Sequence, residues 1–374
     1  MNLEETPREH AFREEVRDWL AREITSIGTF ERFADRLEAD RRLAGAGYLG
    51  YHWPEQFGGG GGTPNLAAIL DAERAEAGVP ASSSPSRFGI NLLGPTLMVH
   101  GTPAQQHEFL PPILRAEAVW CQGFSEPEAG SDLANVQCAG RLEGDALVLE
   151  GSKVWTTQAH EADWCFALVR TDPKAPRHRN LSFVLIDMRQ DGIEIQPLVQ
   201  LTGQAEFSQV FFEGAKVPLA QVVGEIGEGW KVAMTTLGAE RTFAQLSRYR
   251  QYEAEAARIG DMLRALEPET RDKWLERYGR ARADLTGIRN LSYKITSLAT
   301  AGEELGALTS VTKLWWSTTH QRLVELGYEI AVEADLEVDL WYRLWLESRG
   351  ETIYAGASQI QKNIISERIL GLPR

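Results

Sequence analysis

Cysteine is scarce in this chain: Cys121, Cys138 and Cys165 are odd in number and show no Cys-x-x-Cys spacing. That set supports neither a disulfide framework nor a thiolate zinc site, and a reducing compartment suits it best. Long apolar runs are missing as well. No stretch approaches the ~20 residues that a membrane-spanning helix needs, so no membrane partner is expected. The opening Met1-Asn2-Leu3-Glu4-Glu5 carries no basic segment followed by an apolar one, which argues against secretion and sets the expectation of a cytoplasmic protein. Basic runs are also lacking. With 39 Lys and Arg against 53 Asp and Glu, the net charge is −14, which argues against a nucleic-acid partner because phosphate backbones are met by concentrated positive charge. A polyanionic ligand must then be met by basic residues placed locally. No internal repeat or low-complexity tract stands out beyond the glycines Gly58 to Gly62.

What is present is a chain of 374 residues, 43% of them hydrophobic, enough to bury a large core over two or three domains. Its periodicity changes twice. Phe12, Val16, Trp19 and Leu20 fall at helical spacing in Ala11–Ile24, and Leu66, Ile69 and Leu70 mark a second amphipathic piece in Pro64–Ala77. A further helix is predicted over Pro103–Leu114, capped by Thr102 with Gln105 three residues on. The aromatics of Gly47–Glu55 read as core packing, and Ser82-Ser83-Ser84-Pro85 as a loop or cap. The period then shortens. Ala146–Glu150, Lys153–Gln158, Trp164–Thr171, Leu181–Met188, Ile193–Val199 and Ser208–Phe212 are β-branched or aromatic runs separated by Gly, Asp, Pro or basic turns, with Arg170–Arg179 as a surface loop. No helical pattern interrupts them, so they predict a compact antiparallel β-domain. From Gly229 the helical period returns, with breaks near Glu267-Pro268, Gly302 and Gly350, as in an antiparallel bundle. The expected fold is α+β multidomain: an N-terminal α-helical domain over residues 1–118, a central antiparallel β-domain over 119–224 and a C-terminal helical bundle over 225–374.

Chemistry concentrates in two stretches. Cys121 to Asp132 reads Cys-Gln-Gly-Phe-Ser-Glu-Pro-Glu-Ala-Gly-Ser-Asp, which brings two hydroxyls and several backbone N–H groups within reach of one polar ligand. Read alone, it is better taken as an ordinary turn between a helix and a strand. Lys153-Val154-Trp155-Thr156-Thr157 follows, where Trp155 alone reads as a core aromatic.

Together with Trp53-Pro54-Glu55, Gly58-Gly59, Gly151-Ser152, Phe211-Phe212, Val217-Pro218 and the closing Tyr354-Ala355-Gly356-Ala357-Ser358-Gln359-Ile360-Gln361, these stretches resemble the acyl-CoA dehydrogenase superfamily of flavoproteins. The order and spacing carry the resemblance over nearly the whole chain. It implies a helical domain, a β-domain and a four-helix bundle, with FAD as cofactor. Gln122, Phe124 and Ser125 would bind the isoalloxazine, Gly130 and Ser131 would lie near the flavin and the thioester, and Trp155 and Thr157 would pack and hydrogen-bond on the other side of the ring. Donors there stabilise an anionic reduced flavin, and the aromatic face excludes water. Ala357, Ser358 and Gln359 would touch FAD across a subunit interface.

The implied reaction removes the α-proton of an acyl thioester, acyl-CoA or an acyl-carrier thioester, while the β-hydrogen leaves as hydride. It needs a carboxylate desolvated enough to raise its pKa. Many members carry it directly after the C-terminal tyrosine, where this chain has Ala355. A sterol- and branched-acyl-type branch places it on the first bundle helix, and Glu240 matches that position, sharing a helix face with Leu237, Phe243 and Ala244. From the residues alone, Glu240 reads as readily as a solvated glutamate or a partner of Arg241. By the resemblance Arg241 lies near the substrate, and the Ala355 N–H still meets the thioester oxygen. An Arg-x-x-Phe-Gly motif and a Gly-Gly loop, which in the family's tetramers hold a neighbour's FAD adenylate, are not recognisable in Arg277–Asn290 or Leu326–Glu333. The expectation is a homo- or hetero-oligomer, dimer or tetramer, that passes electrons to an electron-transfer flavoprotein. A flavin oxidase or monooxygenase of the same fold, and a non-catalytic partner subunit, are the alternatives.

Overall fold

The computed structural model describes residues 5–28, 30–246, 248–303 and 305–373, and for residues 240–246 the backbone alone. Helices α1 (Pro7–Glu23), α2 (Phe33–Gly45), α3 (Pro64–Glu76), α4 (Gly94–His100) and α5 (Pro103–Leu114) come first. Strands follow: β1 (Trp120–Gly123), β2 (Ala139–Glu143), β3 (Ala146–Thr157), β4 (Trp164–Arg170), β5 (Leu181–Asp187), β6 (Ile193–Leu198), β7 (Phe207–Pro218) and β8 (Val222–Val223). The chain then returns to helix in α6 (Gly229–Leu246), α7 (Arg248–Ala265), α8 (Pro268–Thr300), α9 (Leu308–Ala334), α10 (Val338–Ser348) and α11 (Ser358–Arg368). Helical, sheet and helical domains therefore succeed one another in the expected order.

The molecule divides into two compact units, one of residues 14–63 and 76–240, the other of the residues up to Arg13, Pro64–Ala75 and Arg241 onward. The first unit holds the sheet, whose strands run β6-β7-β3-β2-β4-β5-β8 with β1 beside β4. Neighbours pair antiparallel, except that β1 runs parallel to β4 and β2 meets β4 in parallel at Ala139 and Arg170. Two runs that read as separate strands are one, β3, and its ladder with β7 slips after Leu149 and again between Lys153 and Thr156. Cys121, Cys138 and Cys165 are all buried in the sheet core among Leu147, Leu149, Val169 and Phe212, as small apolar side chains. Burial pushes the Cys121 thiol well up and the Cys138 thiol up to about 11, so neither supplies a thiolate.

The helices of this unit follow from caps and one aromatic anchor. Thr102 closes the capping box of α5, its Oγ1 accepting from Gln105 N at 3.2 Å while Gln105 Oε1 accepts from Thr102 N at 3.0 Å. Gln105 Nε2 then donates to Ala220 O and Val222 O, both at 2.8 Å, which ties α5 to β8. Trp53 is buried, as the aromatic loop predicted, and its Nε1 donates to Ile90 O at 2.9 Å. Gly94 lets the indole approach, because a Cβ there would sit 2.0 Å from it.

The second unit is a helical assembly around Tyr252, Ile259, Leu263, Leu285, Ile288, Trp316, Leu323, Ile330 and Trp341. These residues lie on α7, α8, α9 and, for Trp341, α10, in the region where the helical period returned in the sequence.

Candidate active site

The two chemistry-bearing stretches meet in the first unit. β1 delivers Gln122 and leads into Phe124 and Ser125, and Val154 N donates to Ser125 O at 2.9 Å. Phe124 is buried edge-on against Phe166 and Phe183, which fixes where the turn begins. Beyond it, Glu126 and Ala129 exchange both backbone hydrogen bonds, so Glu126–Ala129 is a tight turn that leaves Gly130 and Ser131 exposed. Arg177, in the basic loop after β4, ion-pairs with Asp132 beside Ser131.

Trp155 is not the core aromatic that its sequence context allows. The irregularity after Lys153 turns it out of the β3 ladder at φ 58°, and its indole is 59% exposed, braced edge-on by Phe207 at 5.9 Å. A left-handed conformation is costly for a bulky side chain, about 1–2 kcal/mol, and bulges commonly re-aim a side chain next to a site. Among the described residues, the hydroxyls of Ser125, Ser131 and Thr157 have no hydrogen-bond partner in the protein. An open aromatic face beside unsatisfied hydroxyls fits a planar, polar-edged ring system such as a flavin.

A pair of residues that sequence reading did not single out joins the two halves. Lys153 is fully buried; its Nζ donates to Glu126 Oε1 at 2.7 Å and to Leu168 O at 2.6 Å, with Phe124 O at 3.4 Å. Glu126 is buried too, and accepts from Cys138 N at 2.9 Å and Gln137 N at 2.5 Å. Every strong acceptor and donor of the pair is used, the condition under which a buried ion pair is tolerated. The signal was available: a lysine inside an apolar strand needs a buried partner, and the turn glutamate supplies it.

Of the remaining residues predicted for the site, Glu240 belongs to the first unit, and Arg241, Ala355, Ala357, Ser358 and Gln359 belong to the second. Ala355 stands at φ 52°, the only non-glycine of its loop in the left-handed region, and among the described residues its N–H has no acceptor. Gln361 Nε2 donates to Ala355 O at 3.1 Å and to Gly356 O at 3.2 Å. Gly356 is required there, since a Cβ would lie 2.2 Å from that amide. Ala357 caps α11, Ser358 begins it, and Gln359 in its first turn is exposed. Glu240 and Arg241 lie on α6, but their side chains fall outside the described residues. The two stretches without the adenylate-binding motifs are joined by one ion pair, and residues just ahead of the first add two further contacts. Arg277 of α8 pairs with Glu329 of α9, Lys273 with Glu333, and Trp274 Nε1 donates to Glu333 Oε2 at 2.9 Å.

Family models for the N-terminal, middle and C-terminal domains of acyl-CoA dehydrogenase match residues 6–117, 121–215 and 227–370. Acyl-CoA dehydrogenase IpdE1 of Mycobacterium tuberculosis is 40% identical, over 97% of this chain and 97% of its own length. The chain belongs to the acyl-CoA dehydrogenase family. Two solved structures share its fold over 100% of both chains: the Tcur3481-Tcur3483 steroid ACAD, with TM-score 0.88 and 28% identity, and the ChsE4-ChsE5 complex from Mycobacterium tuberculosis, with TM-score 0.87 and 26% identity. The first of these structures is described as a steroid ACAD. As an acyl-CoA dehydrogenase, the chain is an oxidoreductase of a flavoprotein family, and none of its described helices is long and apolar enough to cross a membrane.

Proposed function

We propose that the chain catalyses α,β-dehydrogenation of an acyl-CoA thioester in the cytoplasm, with FAD as resident cofactor and Glu240 as base. The observation that carries this reading is the junction of Ser125 with Val154, which sets unpartnered hydroxyls beside the outward-turned indole of Trp155. Gln122, Phe124 and Ser125 hold one edge of the flavin, and Trp155 and Thr157 cover and hold the other. Bound FAD supplies the acceptor for the β-hydride, and an electron-transfer flavoprotein takes the electrons onward. Glu240 takes the α-proton. The Ala355 N–H, free of an internal acceptor, stabilises the developing enolate oxygen. Ser131 and Arg241 line the thioester and CoA, and the Arg177 loop beside Ser131 supplies local positive charge for the CoA phosphates in an otherwise acidic chain.

The acyl group is bulky. Ala355 removes a carboxylate from the place where many relatives carry one, and the structural relatives include one described as a steroid ACAD. The expected result with Glu240→Gln is a yellow protein whose flavin is no longer bleached anaerobically by acyl-CoA esters that bleach the parent. Bleaching at the parent rate would overturn Glu240 as base. A panel from short straight-chain to polycyclic acyl-CoA esters identifies the substrate class.

The assembly we infer is heteromeric. The adenylate-holding motifs are not recognisable in Arg277–Asn290 or Leu326–Glu333, where Arg277 is instead paired with Glu329, and a related chain then supplies that half. Ala357, Ser358 and Gln359 contact FAD across the interface.

A further inference from the structure

The loop bearing Ala355 is poorly packed for one that must aim an amide. Ile353 is 69% exposed and Tyr354 42% exposed, so apolar burial does not fix it. Polar contacts hold it from both ends. On one side is Gln361. On the other is the turn Arg349–Thr352, which is gripped by α9 through a cluster that neither the motifs nor the proposed chemistry uses.

His320 of α9 lies at the centre of that cluster. Its Nδ1 is 2.8 and 2.9 Å from the two carboxylate oxygens of Glu351, and its Nε2 is 2.8 Å from Glu255 Oε2 on α7. A carboxylate can only accept, so both ring nitrogens must donate and the imidazole carries a proton on each. The ring is buried and lies flat on Tyr252, with centroids 4.0 Å apart at 17°. Lys313, one helical stretch earlier on α9 and fully buried, donates to the main-chain oxygen of the same Glu351 at 2.8 Å. Glu351 is thereby held by side chain and backbone alike, three and four residues before Tyr354 and Ala355. Gly350 O in turn accepts from Ile353 N at 2.9 Å and from Tyr354 N at 3.0 Å, which carries the constraint into the loop. Among the described residues, further charged and titratable groups around the cluster include Arg248, whose guanidinium lies 4.4 Å over Trp316 and 3.5 Å from Tyr354 Oη, Tyr354 itself and Glu347, whose charge acts on Tyr354.

We propose that His320, bridged between Glu255 and Glu351, is a positioning residue that fixes the loop presenting the Ala355 N–H to the acyl thioester. This role rests on the reading of Ala355 given above. An imidazolium donates in opposite directions to two carboxylates on different elements while stacking on an aromatic ring. Its removal leaves the buried Glu351 and the half-buried Glu255 facing a gap, and the turn that carries Glu351 shifts.

The test uses the full chain in its FAD-loaded assembly and compares His320→Gln with Met262→Ala, a core truncation in the same bundle that touches neither the turn nor the loop. Two readouts are taken: amide hydrogen exchange of 353–356, and the pH titration of bound acetoacetyl-CoA followed by its enolate absorbance. His320→Gln is expected to speed exchange of the loop at least tenfold and to weaken ionisation of the bound probe about tenfold, one pH unit. Met262→Ala is expected to lower the unfolding midpoint and change neither. Glu255→Gln, which keeps an acceptor at Nε2, gives the same pattern at smaller amplitude and serves if His320→Gln does not fold. Unchanged loop exchange, whatever the probe does, overturns the clamp and leaves the Ala355 reading standing. Faster exchange with unchanged ionisation of the probe overturns the positioning role together with that reading.

Discussion

Lys153 shows how much one buried charge can organise. With no water around it, the ammonium is stable only because Glu126, Leu168 O and Phe124 O surround it, and breaking such a pair typically costs about 3–5 kcal/mol. Lys153→Met should therefore lower the denaturant midpoint by that order and release FAD, read from flavin absorbance after gel filtration. Lys153→Met combined with Glu126→Gln should cost less than the sum of the singles, since neither leaves a charge behind. Sequence reading found Ser125 and Trp155 but passed over this pair, because the partnership spans a turn and a strand and only the fold brings them within 2.7 Å. His320 adds a pH dependence. Burial lowers its affinity for a proton, but Glu255 and Glu351 outweigh burial and raise the pKa from 6.5 to about 9. A folded-state pKa above the unfolded one contributes stability that is complete below pH ~6.5 and lost as pH rises through ~9, by a few kcal/mol at most. Denaturant midpoints between pH 6 and 10 should fall across that window, and His320→Gln should flatten the fall.

At the scale of elements, the period of the apolar residues placed several helices and strands closely. α1, α3, α5, β4 and β5 lie within a few residues of where Phe12, Leu66, Thr102, Trp164 and Leu181 place them. The short pieces were not legible. β1 is four residues and β2 five, and each gains its identity from a neighbour: β1 from its parallel ladder to β4, β2 from its hairpin with β3. β3 reads as two strands because Gly151 and the irregularity at Trp155 break its alternation, and that break is what exposes the indole. Helix α5 invites a test of how an element end holds a sheet edge. Thr102→Ala should cost ~1 kcal/mol through the lost cap. Gln105→Ala should cost about 1–3 kcal/mol more, because two buried carbonyls lose their donor as well, measured as a difference in chemical unfolding midpoints.

At the scale of the whole molecule, the motifs that carry the family resemblance fall into two compact units, Ser125, Ser131 and Thr157 in one and the Ala355 loop in the other. The order of helical, sheet and helical domains was legible from the two changes of period alone. The adenylate-holding motifs are not recognisable in the sequence, and in the structure α8 and α9 are joined by the Arg277–Glu329 and Lys273–Glu333 ion pairs. Purified alone, the chain should bind less than one FAD per protomer. Co-expressed with a related chain that carries the Arg-x-x-Phe-Gly motif, it should elute as one complex with FAD retained, and light scattering of a flavin-replete homotetramer would overturn the heteromeric assignment. The union of Lys153 with Glu126 also has a historical consequence. Two signatures some 27 positions apart cannot drift independently: descendants that neutralise one position should have neutralised the other, and a graft of either signature into a distant relative should succeed only when its counterpart travels with it.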